Sequence, residues 1–117
     1  MANVAINTDS SMIANNLQSF MPTHPGEILK DEIDYRGISQ RQLAQAIGVA
    51  YSQLNEILNA KRPLTTDIAL LVCQALDLEA EPLLKLQMEY NVRTTRENPT
   101  FIQRLRSIPR VASIALL

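Results

Sequence analysis

Apolar residues recur at helical spacing along most of this chain, and nowhere do they alternate over a stretch long enough to mark a strand. The cleanest run is Ile68, Leu71, Val72, Ala75 and Leu76, spaced i, i+3, i+4, i+7 and i+8. It predicts an amphipathic helix capped by Thr65 or Thr66. Upstream, Ile28, Leu29 and Ile33 give the apolar face of a helix from about Pro25 to Arg36. Glu27 suits its positive end, and Gly37 stops it. Ser39-Gln40-Arg41-Gln42 has the form of a capping box, with Ser39 as the cap and Gln42 reaching back. It opens a helix with Leu43, Ala44 and Ile47 inward, closed by Gly48. The next helix is expected around Tyr51 to Asn59, with Leu54, Ile57 and Leu58 inward and Asn59 taking the left-handed conformation that ends a helix. A fifth spans about Ala80 to Asn91, with Pro82 in its first turn, where no intrahelical N–H partner is needed.

The expected architecture is therefore all-α, a compact five-helix domain with extensions at both ends. Pro22, Pro25 and Gly26 mark the start of the folded part. Residues 1–21 hold only a weak apolar set (Met12, Ile13, Leu17, Phe20, Met21). They read either as a mobile arm or as a short helix capped by Ser10 or Ser11. Residues 22–92 form the domain. Residues 93–117 form an arginine-rich extension in which Pro99 and Pro109 bracket a short helix from Phe101 to Ile108.

Composition narrows the function. The chain has 117 residues and 46% hydrophobic content, enough for one packed domain, and with 4% aromatics and no Trp the core must be aliphatic. The single Cys73 rules out an intramolecular disulfide or a Cys-rich metal site, and the single His24 rules out a His cluster. No apolar run approaches the roughly 18 residues of a membrane span. The start, Met1 to Ser10, lacks the basic and apolar regions of a secretory signal, so a cytoplasmic protein without membrane association is expected.

The informative segment is Gln40 to Ile57. Counted from Gln40, Ala44 is position 5, Gly48 position 9, Leu54 position 15 and Ile57 position 18. This is the spacing of a helix-turn-helix. Ala44 is small where two helices cross closely, Gly48 permits positive φ at the turn, and Leu54 and Ile57 lock the second helix onto the first. That second helix can lie in a DNA major groove with its N-terminal side chains on base edges. The same residues also fit a plain helical hairpin.

The sequence resembles the Cro/C1-type helix-turn-helix proteins, with the lambda-repressor-like fold that implies, and within them the HigA or VapI antitoxins. The resemblance rests on His24-Pro25-Gly26-Glu27-Ile28-Leu29, on Ser39-Gln40 with Leu43-Ala44, and on Gly48-Val49. It continues through Asn55-Glu56-Ile57 with Asn59 and Lys61-Arg62, then Thr65-Thr66-Asp67-Ile68-Ala69-Leu70 and Leu84-Lys85-Leu86-Gln87. It covers about residues 22–92. It implies a homodimeric repressor that binds double-stranded operator DNA and autoregulates its operon. It also implies a role in plasmid maintenance or a type II toxin–antitoxin system, neutralising a RelE-like HigB toxin that cleaves mRNA. By the same resemblance Gln40, with Arg41 beside it, contacts phosphate. Tyr51, Ser52 and Gln53, with Asn55 and Glu56 one turn on, read bases, and Asn59, Lys61 and Arg62 grip phosphate. Chemically, Gln can pair with adenine, Glu can accept from cytosine N4, and Ser is permissive. Two positions depart from the family pattern: Ala50 replaces a Ser or Thr cap, and Ala60 replaces the Gly after Asn59.

No enzyme, cofactor or metal site is expected. His24 has no acidic or Cys neighbour in sequence and reads as structural or exposed. Cys73 reads as a buried thiol with no His to activate it. Asp31, Glu32 and Asp34 read as a solvated helix face. The tail, with Phe101, Ile102, Leu105 and Ile108 as an apolar face, reads as a contact for a second copy or the toxin before DNA. Two alternatives stand beside the antitoxin: a stand-alone Cro/C1-type regulator, and a helical protein-interaction module, for which the uncapped Ala50 leaves room.

The net charge of −1 conceals a partition. Residues 35–66 carry +3, from Arg36, Arg41, Lys61 and Arg62 against Glu56, and residues 92–117 carry +4, from five arginines against Glu97. Residues 27–34 carry −3 and residues 67–91 carry −4. The positive charge coincides with the helix-turn-helix and the tail. The negative charge lies on other helices, available to a basic partner.

Overall fold

The computed structural model describes residues 23–111, and the readings of residues 1–21 and of the apolar end beyond Val111 lie outside them. Among the described residues the regular elements are helices: α1 (Pro25–Arg36), α2 (Gln40–Ile47), α3 (Tyr51–Leu58), α4 (Thr66–Leu76), α5 (Ala80–Arg96) and α6 (Pro99–Arg106). The fold is all-α, as expected.

Local chemistry sets most of these boundaries. The Ser39 hydroxyl accepts from the Gln42 N–H at 3.0 Å while the Gln42 side chain accepts from the Ser39 N–H at 2.8 Å, completing the capping box. Gly48 stands at φ 75° and ψ 32°, so α2 ends where a Cβ would be strained. Its N–H and that of Val49 both return to the Ala44 carbonyl, at 2.9 and 3.1 Å. Thr65 occupies the cap position of α4. Its hydroxyl, however, donates to Asp67 Oδ1, and that carboxylate receives the Ile68 N–H at 2.9 Å. Those hydrogen bonds, the one from Thr65 first, hold the Asp67 carboxyl below its ordinary range.

Five details differ from the pattern-based expectation. The inward line of α4 runs through Ile68, Ala69, Val72, Cys73 and Leu76, leaving Leu71 43% exposed and Ala75 exposed. Small Ala69 and Cys73 face the core because α2 and α5 pack against α4 along that side. Ile28 is likewise 41% exposed, while Leu29 and Ile33 are fully buried. Asn59 is not left-handed (φ −99°), and the positive φ falls one residue later, at Ala60 (φ 62°). Finally, α5 runs past Asn91 to Arg96, because no Gly or Pro interrupts it there, and the Thr94 hydroxyl donates to the Tyr90 carbonyl at 2.9 Å within it. The last helix is then displaced: Asn98 caps it by accepting the Phe101 N–H at 3.0 Å, and Pro99 takes its first position.

The core gathers Leu29 and Ile33 of α1, Leu43 and Ala44 of α2, Leu54, Ile57 and Leu58 of α3, Leu64, the inward line of α4, and Ala80 and Leu83 of α5. It is aliphatic, as the composition required. Helix α6 packs on α5 and has no buried residue, with Ile102 half-buried and Phe101, Leu105 and Ile108 exposed. No described helix is long and apolar enough to cross a membrane.

Candidate nucleic-acid interface

Helix α3 is held from below by its apolar side and presents the other side outward. Leu54, Ile57 and Leu58 are essentially inaccessible. At 3.6 residues per turn, this leaves Ser52, Asn55, Glu56 and Asn59 along one outward stripe, with Tyr51 and Gln53 on its two flanks. Gln53 is half-buried at the edge, and Tyr51 is 39% exposed. Ala50 precedes the helix without a side-chain cap, so the first N–H groups of α3 keep no side-chain partner from that residue.

The neighbouring side chains are tied to this stripe. Gln40, at the first position of α2, accepts a hydrogen bond from Asn55 Nδ2 at 2.8 Å. The Arg41 guanidinium lies 4.5 Å from the centre of the Tyr51 ring, a cation–π contact. Asn59 donates to the Asn55 carbonyl at 2.9 Å, and the Lys61 N–H donates to the Glu56 carbonyl at 2.8 Å. Arg62 reaches Glu56 Oε1 at 2.7 Å. The α2 start, α3 and the loop to α4 therefore form one connected polar surface holding Gln40, Arg41, Tyr51, Asn55, Glu56, Asn59, Lys61 and Arg62, with Ser52 exposed between them.

Sequence reasoning missed several supports of this surface. Lys30 of α1 donates to Asn59 Oδ1 at 3.3 Å, which no local spacing foretells at a separation of 29 residues. His24 is buried and caps α1, its Nδ1 accepting the Gly26 N–H at 2.9 Å. Its ring meets Tyr90 of α5 edge-on, with centroids 4.9 Å apart. Burial lowers the pKa of His24, only partly offset by the Arg62 backbone and Glu27. Gln87 is the other buried polar side chain among the described residues: it accepts the Leu64 N–H at 2.8 Å and donates to Asn91 at 2.8 Å, fixing the exit of the Lys61–Leu64 loop.

Cys73 is buried, and desolvation raises its pKa, which keeps it protonated. Among the described residues no group of three His, Cys, Asp or Glu side chains gathers to hold a metal ion.

The family model that matches is the helix-turn-helix, over residues 29–83. Virulence-associated protein I of Dichelobacter nodosus is 34% identical over 76 residues, which are 64% of this chain and 70% of that protein. The solved antitoxin GraA is 36% identical and superposes with a TM-score of 0.68, over 76% of this chain and 96% of the other. Pseudomonas aeruginosa antitoxin HigA, solved with the higBA promoter, is 32% identical with a TM-score of 0.67, over 75% and 96%.

The chain belongs to the HigA/VapI-type antitoxin family of helix-turn-helix proteins. In this member of the family, the His24-Pro25-Gly26 entry is a structural device. It seats the start of α1 against the end of α3 and against α5. The Ala44, Gly48, Leu54 and Ile57 set fixes the angle between α2 and α3.

Proposed function

We propose that this protein is a DNA-binding transcriptional repressor and the antitoxin of a type II toxin–antitoxin module. The observation that carries the reading is the single polar surface built from the start of α2, the outward stripe of α3 and the loop through Arg62. It lies in the segment with a charge of +3. Its likeness to the HigA structure that holds promoter DNA supports the same use here.

In this reading α3 enters the major groove. Tyr51, Ser52, Gln53, Asn55 and Glu56 face base edges, while Gln40, Arg41, Asn59, Lys61 and Arg62 meet phosphates on either side. Contacts to phosphate fix the register, and contacts to base edges give the sequence preference. A homodimer places two such helices about 34–36 Å apart, one helical turn of DNA, so the operator is a palindrome. The protein autoregulates its operon. It neutralises a RelE-like, HigB-like mRNA-cleaving toxin, whose basic surface suits the acidic segments 27–34 and 67–91.

The direct test is a gel-shift titration against the DNA upstream of its own gene. Gln53→Ala together with Arg62→Ala abolishes specific binding if these side chains sit as assigned, and unchanged binding refutes the assignment. Co-purification with the product of the adjacent gene tests the toxin.

A further inference from the structure

Glu56 is the one acidic residue in the basic segment 35–66, and it lies on the outward stripe of the recognition helix. Near DNA phosphates a lone carboxylate is repelled, so its presence calls for a reason. Arg62 puts both Nη2 and Nε on the same oxygen, Oε1, at 2.7 and 2.9 Å. Among the described residues Oε2 accepts no hydrogen bond. The backbone between the two is short and fixed. Lys61 N–H is bonded to the Glu56 carbonyl, and Pro63 restricts the backbone of Arg62. The Arg62 side chain is 49% exposed, reaching into solvent from that anchor.

We propose that the Glu56–Arg62 pair makes a phosphate contact conditional on a base, so that Glu56 is a specificity-determining residue by restraint as well as by recognition. The inference rests on the repressor reading above. On unrelated DNA, where no amino group of a base is held in register with it, Glu56 finds no fixed donor. It keeps Arg62 paired, cancels most of its charge, and removes one cation from the counterion exchange that drives non-specific binding. On the operator, a cytosine amino group donates to the carboxylate. Glu56 is then satisfied without Arg62, and the guanidinium turns to the adjacent phosphate. An exposed ion pair is weak enough to be exchanged in this way, and a charge that penalises wrong partners is a common source of specificity.

The experiment uses the full chain with Glu56→Gln, Arg62→Ala and the double variant. Each is titrated with the upstream operator duplex and with a scrambled duplex of equal length, across a series of salt concentrations. Glu56→Gln keeps the side-chain length and removes the charge. It is expected to bind the scrambled duplex about three- to tenfold more tightly, with a log–log salt slope steeper by about 0.9, the value of one extra phosphate contact. Its preference for the operator falls accordingly, and adding Arg62→Ala removes both gains. An unchanged salt slope in Glu56→Gln overturns the proposal. So does a gain that survives in the double variant, because it then comes from lost repulsion and not from a released arginine. A wild-type chain that shows no salt-dependent DNA binding overturns the repressor reading itself, and the inference with it.

Discussion

The α-carbon of Gly26 faces the carbonyl of Ile57 with no room between them. A Cβ at residue 26 would overlap the Ile57 oxygen and carbon and crowd His24 Nδ1 at 3.0 Å. The first turn of α1 thus rests directly on the backbone at the end of α3, and only glycine permits that approach. Gly26→Ala must push the two helices apart or tilt α1. The expected cost is about 2–3 kcal/mol of unfolding free energy, in the range of overpacked cores. Urea denaturation measures it. Because the same shift displaces α3, operator affinity falls as well, even though residue 26 is far in sequence from the surface residues. A variant that retains full stability would show that the two helices are not held as closely as the structure has them.

His24 connects the same junction to pH. It is the only histidine in the chain, and its folded form favours the neutral ring because burial opposes the charge. A protonated Nδ1 also loses the lone pair that accepts the Gly26 N–H. The folded pKa lies below the ordinary histidine value of 6.5, so the unfolded chain binds the proton more readily. The contribution is therefore fully present above that value and is lost as pH falls from there through the lowered pKa. Unfolding free energy should decrease between about pH 7 and pH 5 in the wild type. In His24→Asn, which keeps a good capping side chain but cannot titrate, that part of the decrease should disappear. Asp67, also lowered, acts in the same direction but only at more acidic pH, in the carboxylate range. The imidazole resonances of the single ring give the folded pKa directly.

What could be read beforehand was whatever neighbouring residues decide. The Ser39–Gln42 box, the Gly48 turn and the small Ala44 each act within one or two helical turns, and each stands as the spacing indicated. Helix α4 illustrates the limit. Its apolar spacing selects Leu71 and Ala75, yet the packing of α2 and α5 turns Ala69 and Cys73 inward, because a neighbour and not a period decides which of several apolar lines is covered. The candidate surface divides in the same way. Its candidate residues could be named by type and position. Their mutual ties were not, because Gln40 to Asn55 spans 15 residues and Lys30 to Asn59 spans 29. The role of His24 was equally hidden, since its partner Tyr90 lies on a helix that begins at Ala80.

Ala60 offers a gain in stability. It holds φ 62° just after α3, a left-handed conformation that costs an L-residue roughly 1–2 kcal/mol and glycine almost nothing. Replacing it with glycine relieves that strain, while the greater freedom of glycine in the unfolded chain takes part of the benefit back. Ala60→Gly is expected to raise unfolding free energy by about 0.5–1 kcal/mol, read as a higher denaturation midpoint with an unchanged slope. The same change at Ala46, an exposed residue within α2, should lower stability by about 0.5–1 kcal/mol, which makes it a suitable control.

Gln40 and Asn55 supply the last test, because the hydrogen bond between them joins the two helices of the candidate interface. Both side chains are half-buried, and the bond from Asn55 Nδ2 to Gln40 Oε1 is 2.8 Å long. A bond of this kind contributes about 0.5–1.5 kcal/mol net. Asn55→Ala and Gln40→Ala should therefore each destabilise the fold by about 1 kcal/mol, and the double variant by little more than either alone. The same cycle applied to operator binding separates two roles for Asn55. If it serves mainly to aim Gln40, the binding losses are also non-additive and vanish in the Gln40→Ala background. If Asn55 touches a base on its own account, its loss persists in that background and falls most heavily on one position of the operator, since a base contact is specific where a phosphate contact is not.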